Sequence, residues 1–140
     1  MIQLTRRYRF SASHRLHTDR LSENQNRELY GKCSNPYGHG HDYLIHVCVR
    51  GPVGPVSGRV ADVAALDGLV RDQVLAAFDH KNLNVEIPAL VPTTENLAFE
   101  IRNRLQRRWA EIFPGAWPKL QKIRIAETRR NAFEITDEEE

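Results

Sequence analysis

The stretch "HDYLIHVCVRG", residues 41–51, does most to limit what this chain can fold into. It alternates with a period of two. His41, Tyr43, Ile45, Val47 and Val49 fall on one face; Asp42, Leu44, His46, Cys48 and Arg50 fall on the other. That period belongs to a strand with one face on a core. "QLTRRYRFSASH", 3–14, repeats the pattern, with Leu4, Tyr8, Phe10 and Ala12 on the face of His14. "KLQKIRIAET" and "AFEIT" read as two further strands around a tight "RRN" turn. "PVGPVSG", 52–58, is turn chemistry, and "RVADV" is expected to pair as a strand after it.

Helical spacing appears in two places. Leu66, Leu69, Val70, Val74, Ala77 and Phe78 predict a helix over about 64–78. Leu97, Ile101, Leu105, Trp109 and Ile112 form the stripe of a second, which starts at "TTEN" and stops at Pro114-Gly115. "LSENQNREL" predicts a short helix or ordered loop capped by Ser22, and "DHKNLNVEIPALVP" predicts a loop. The order of elements predicts an α+β domain with an antiparallel sheet and both helices on one face. The other sheet face then needs cover, which a second subunit would supply. One domain over 1–140 is expected, with "DEEE" at 137–140 an acidic, frayed tail.

A net charge of +2 is too near balance for a nucleic-acid binder. No apolar run reaches the ~18 residues of a membrane span. Two cysteines make no disulfide framework, so a cytoplasmic protein with reduced thiols is expected.

One of those cysteines lies in "GKCSNPYGHGHDY", residues 31–43. His39 and His41 are two apart at the start of a strand, so both imidazoles point the same way and can hold one cation. His14, ending the first strand, is the best third ligand; His17 competes, and His46 falls on the other face. Three imidazoles suit Zn²⁺ with one position open. Cys33 has two readings from spacing alone. As a fourth ligand it closes a structural site; as a thiolate beside a metal it takes a proton from an activated substrate. Cys48 reads as a packed residue. Asp79-His80 reads as a catalytic pair or as ordinary polar residues at a helix end. Glu127 reads as a surface acid or as an anchor for a guanidine-like edge. Thr93 and Thr94 read as caps, or as the start of a ligand-reading helix terminus with Glu95.

Together, "FSASHRL", "GKCSNPYGHGHDY", "DHKNLN", "TTEN" and "ET" resemble the 6-pyruvoyltetrahydropterin synthase family, with the closely similar 6-carboxytetrahydropterin synthases of queuosine biosynthesis. The resemblance runs from about Phe10 to Phe133. It implies the tunnelling fold (T-fold), a four-stranded antiparallel sheet with two helices on one side. Three subunits would close a barrel and two trimers would stack into a homohexamer, with active sites at subunit interfaces. It implies zinc on His14, His39 and His41. It implies Cys33 as the proton-transfer residue of a Cys33–Asp79–His80 triad, Glu127 as the pterin anchor, and Thr93, Thr94 and Glu95 in the pterin pocket. The implied enzyme is a zinc-dependent, phosphate-eliminating carbon–oxygen lyase. It would convert 7,8-dihydroneopterin triphosphate to 6-pyruvoyltetrahydropterin; the alternative product is 6-carboxytetrahydropterin with acetaldehyde. A zinc-stabilised binding protein is the rival of another class. Ser34, Tyr37 and Asp42 stand where pyruvoyl-type members often have asparagine. Cys33 argues against the side-chain-cleaving relatives, which carry glutamate there.

Overall fold

The computed structural model describes residues 1–136 of the 140-residue chain. The acidic tail expected at 137–140 lies outside the described residues. Four long or medium strands make up most of the sheet: β1 (Ile2–His14), β2 (His39–Gly51), β4 (Lys119–Ala126) and β5 (Ala132–Thr136). They pair antiparallel in the order β1-β2-β4-β5. The alternation read in the sequence is the one the strands use. Phe10, Ala12 and His14 of β1 are buried, as are Tyr43, Ile45, Val47 and Val49 of β2, and Ile123 and Ile125 of β4.

The buried face is covered by two helices. α2 starts at Val63–Val70, passes through a π-helical turn at Arg71–Leu75 and ends at Ala76–Phe78. α4 (Thr94–Ile112) is the longest helix. Leu66, Leu69, Val70, Val74 and Phe78 of the first join Leu97, Ile101, Leu105 and Trp109 of the second in one apolar core with the strands. Burying side chains of this kind contributes roughly 1.5–3 kcal/mol each before chain entropy is subtracted. α1 (Glu23–Tyr30) carries the expected Ser22 cap as a full capping box with Gln25.

Three expectations change. "RVADV" is not a strand: Asp62 instead caps α2, its carboxylate accepting the Ala65 N–H. A cap at residue 62 bends the chain into the helix before any ladder can form. Residues 79–87 are not a plain loop. They hold β3 (Lys81–Asn82) and α3 (Leu83–Glu86), with Leu83 and Ile87 buried. The sheet therefore has five strands and is mixed, since β3 runs parallel beside Ala12 and Ser13 of β1. Asp79 explains the attachment: its carboxylate accepts the Ser11 N–H at 3.0 Å while the His80 N–H donates to the Ser11 carbonyl at 2.6 Å. Cys48 is buried, as expected of a packed residue.

Candidate metal centre and substrate pocket

β1 and β2 are paired in register to their ends, so His14 faces His39 and Ala12 faces His41. This register brings three imidazoles from two segments together. Ring centroids are 4.6 Å apart for His39–His41, 4.9 Å for His14–His41 and 5.3 Å for His14–His39. His14 is fully buried and held from behind: its Nδ1–H donates to the Pro92 carbonyl at 2.9 Å, with the Tyr43 hydroxyl at 3.4 Å. That bond fixes the tautomer and leaves the Nε2 lone pair aimed at the other two rings. His14 Nε2 is buried with no hydrogen-bond partner. A buried polar atom without a partner is costly in a protein that needs no ligand there. His39 Nε2 and His41 Nε2 converge on the same point at 2.8 Å from each other. The donor set therefore fits a divalent cation of the zinc class. His17 is not part of it; its Nε2 lies 3.3 Å from Asp19.

Cys33 sits on a single 3-10 turn, Gly31–Ser34, that leads into β2. The loop is tied to the end of β1 by the Leu16 N–H to the Cys33 carbonyl and by Arg15 Nε to the Ser34 carbonyl. Gly38 makes this approach possible: at φ +71°, a Cβ there would meet the His14 carbonyl oxygen at 3.0 Å. Cys33 Sγ lies 3.3 Å from His39 Nε2, and the four candidate ligand atoms lie within 4.8 Å of one another. Burial pushes the thiol pKa up, and the Glu127 carboxylate adds to the shift. A cation at the histidines acts in the opposite direction and favours the thiolate.

Glu127 follows the end of β4 and turns toward the cluster. Its Oε1 is 3.1 Å from His41 Nε2 and 3.9 Å from His14 Nε2. Its Oε2 accepts the Thr94 hydroxyl at 2.9 Å. Burial nevertheless lowers the pKa of both His14 and His41; the Glu127 carboxylate opposes this without overturning it. Both imidazoles are thus neutral near pH 7, the form a metal requires. Thr93 is the cap of α4, accepting the Asn96 N–H, and Thr94 is buried beside Glu127. Glu95 lies in the first turn of the same helix.

No hydrogen bond or ion pair joins Asp79 or His80 to Cys33 among the described residues. His80 takes a left-handed backbone, φ +59°, and its side chain is 83% exposed, 3.7 Å from the Asp79 carboxylate. It borders a groove of about 560 Å³ shared with Ser11, Ser13, Asp42 and Lys81, and with His41 at its inner end.

The profile of the family described as 6-pyruvoyl tetrahydropterin synthase matches residues 3–138. The chain belongs to that family. A curated relative from Poecilia reticulata, 6-pyruvoyl tetrahydrobiopterin synthase, is 44% identical over 131 residues, covering 91% of this chain and 85% of its own length. The human protein of that name is 40% identical over 132 residues, covering 92% and 87%. The solved structure of Caenorhabditis elegans 6-pyruvoyl tetrahydropterin synthase superposes with a TM-score of 0.87 at 36% identity, over 98% of this chain and 96% of that one. The fold is accordingly the α+β T-fold, and the chain is a lyase-type enzyme. No helix among the described residues is long and apolar enough to cross a membrane.

Within this family member, three contributors to the site escaped the sequence reading. Pro92 acts through its carbonyl, which no side-chain pattern signals. Tyr43 was placed on the core face, and its hydroxyl reaches His14. The direct Thr94–Glu127 bond joins residues 33 apart in sequence.

Proposed function

We propose that the chain is a zinc-dependent synthase that converts 7,8-dihydroneopterin triphosphate to 6-pyruvoyltetrahydropterin and releases triphosphate. The observation that carries this reading is the buried, partnerless His14 Nε2 facing His39 and His41, with a thiol and a carboxylate on the rim of the same point. His14, His39 and His41 would hold the metal. When bound, it supplies the Lewis acidity that makes a neighbouring carbon acidic.

The chain's own residues then have distinct tasks. Glu127, steadied by Thr94, accepts the paired N–H groups along the pterin edge and so orients the side chain toward the histidines. Thr93 and Glu95, at the start of α4, border that pocket. Cys33, as thiolate, removes the proton from the side-chain carbon. The electron pair left behind moves into the ring, which is reduced as the side chain is oxidised, so no external reductant is required. The triphosphate leaves with the electron pair of its carbon–oxygen bond. His80, backed by Asp79, moves protons on the opposite side of the substrate.

Asp79 and His80 make no contact with Cys33 of the same chain among the described residues, which supports an active site completed by a neighbouring copy. The polar sheet face with no helix on it supports the same assembly, taken here as a homohexamer of two stacked trimers. A cytoplasmic setting agrees with two free thiols. The pyruvoyl product is preferred over 6-carboxytetrahydropterin because relatives at 39–44% identity bear the pyruvoyl name. The second reading, a zinc-stabilised binding protein with Cys33 as fourth ligand, is favoured by one observation: Sγ lies within ligand distance of the cluster.

The test is direct. Zinc-loaded protein is incubated with dihydroneopterin triphosphate and products are identified by mass. A pyruvoyl pterin is expected. A carboxy pterin with acetaldehyde, or no turnover, would reject the assignment.

A further inference from the structure

A second cavity adjoins the histidine cluster at His39. It has a volume of about 410 Å³ and is lined by Arg27, Gly31, Lys32, Ser34, Asn35, Pro36 and His39. His39 belongs to both the cavity and the cluster. The lining holds two cations and no carboxylate. Among the described residues, the Arg27 guanidinium donates to a neutral acceptor, Asn24 Oδ1, at 2.8 Å. Both cations are exposed and come from the last turn of α1 and the turn that follows it. The turn that carries Lys32 also carries Cys33 and follows directly on the helix end that carries Arg27.

We infer that this cavity is the subsite for the phosphate chain of the substrate, with Arg27 and Lys32 as its positioning residues. The inference rests on the proposed reaction and deepens it. In that reaction the side-chain oxygens face the histidines, and the next carbon carries the first phosphate. The phosphates must then lie within a few bonds of His39. The cavity at His39 is lined by two cationic side chains and no carboxylate. A planar guanidinium takes two phosphate oxygens at once, and an ammonium adds a compact point charge. A second basic cavity exists, lined by Arg124, Arg129 and Arg130 with His46. It shares no residue with the cluster and opens on the sheet face away from the core, so it fits the geometry of the reaction less well.

The experiment has two arms. In the first, zinc-loaded protein is dialysed to equilibrium against labelled inorganic phosphate. The double variant Arg27→Gln/Lys32→Gln is expected to bind phosphate about tenfold more weakly than the natural chain. Arg129→Gln/Arg130→Gln is expected to bind it unchanged. In the second arm, the Arg27/Lys32 variant is expected to raise KM for dihydroneopterin triphosphate by a similar factor with kcat little altered. Its affinity for unphosphorylated dihydroneopterin should not move, which separates the ester's tail from free phosphate. Phosphate affinity equal in the natural chain and the Arg27/Lys32 variant, no phosphate binding at all, or a loss that follows Arg129/Arg130 would overturn the inference. Absent turnover with the phosphate result intact rejects the reaction and keeps the subsite. Normal turnover with an unaltered KM in the variant rejects the subsite and keeps the reaction.

Discussion

Thr94→Val removes one hydroxyl and little else. Thr94 is 2% exposed and its hydroxyl donates to Glu127 Oε2 at 2.9 Å. Valine keeps the branched shape and costs almost nothing in helix propensity. A hydrogen bond to a charged group contributes about 1.5–3 kcal/mol, most of it the cost of leaving the partner unsatisfied. Glu127 keeps 14% of its side-chain surface in water and has His41 beside its other oxygen, so the lower part of that range applies, about 1.5–2 kcal/mol. For a chain of 140 residues this corresponds to a fall in Tm of about 3–8 °C. The loss should be specific to the pair. In the Glu127→Ala background, Thr94→Val should cost about 1 kcal/mol less than in the natural chain, a coupling expected only of residues in contact. The carboxylate freed by Thr94→Val should also grip the pterin less well and raise KM. The assay is a thermal melt of the four proteins, with steady-state kinetics on Thr94→Val. Additive stabilities together with an unchanged KM would refute the role given to this bond.

Other expectations follow from the same contacts. Cys33→Ala should retain one zinc per chain and its melting behaviour while losing about 10²-fold or more of its activity, measured by metal analysis beside turnover; lost zinc would make the thiol a ligand. Leu105→Ala empties a fully buried position of α4 and should destabilise by about 2–5 kcal/mol in a urea melt. His46 takes a proton less readily than its ordinary value of 6.5, first through burial and then through Arg7, Arg124 and Lys122, with Glu134 opposing. The unfolded chain therefore binds that proton first as pH falls, and stability declines through and below pH 6.5. His46→Gln should flatten that decline in melts taken between about pH 7 and 5; an unchanged slope would place the titration elsewhere.

Much of the fold was legible because β1, β2 and β4 bury alternate residues, and a period of two leaves a clear trace. The two long helices were legible for the corresponding reason at a period of 3.6. β3 and α3 were not, since two residues of strand and one turn of helix are too short to show any period. What holds them is the Asp79 carboxylate on the Ser11 N–H, a bond between residues 68 apart. "RVADV" misled because the turn chemistry of 52–58 suggested a hairpin partner after it, while Asp62 serves as a helix cap. In the site, His39 and His41 share a face by strand geometry alone, and His14 joins them through the register of β1 on β2. The aim of each nitrogen was not legible. It depends on the Pro92 carbonyl behind His14, supplied by a loop 78 residues away. That Asp79 bonds the Ser11 N–H was equally invisible, because chain order does not show which strand a carboxylate reaches.

X-ray absorption at the zinc edge of the fully loaded protein counts the donors around the metal. Three imidazoles with an open position should give a single nitrogen and oxygen shell at about 2.0–2.1 Å. A sulfur shell near about 2.3 Å would make Cys33 a ligand, close the site, and remove the base from the proposed reaction.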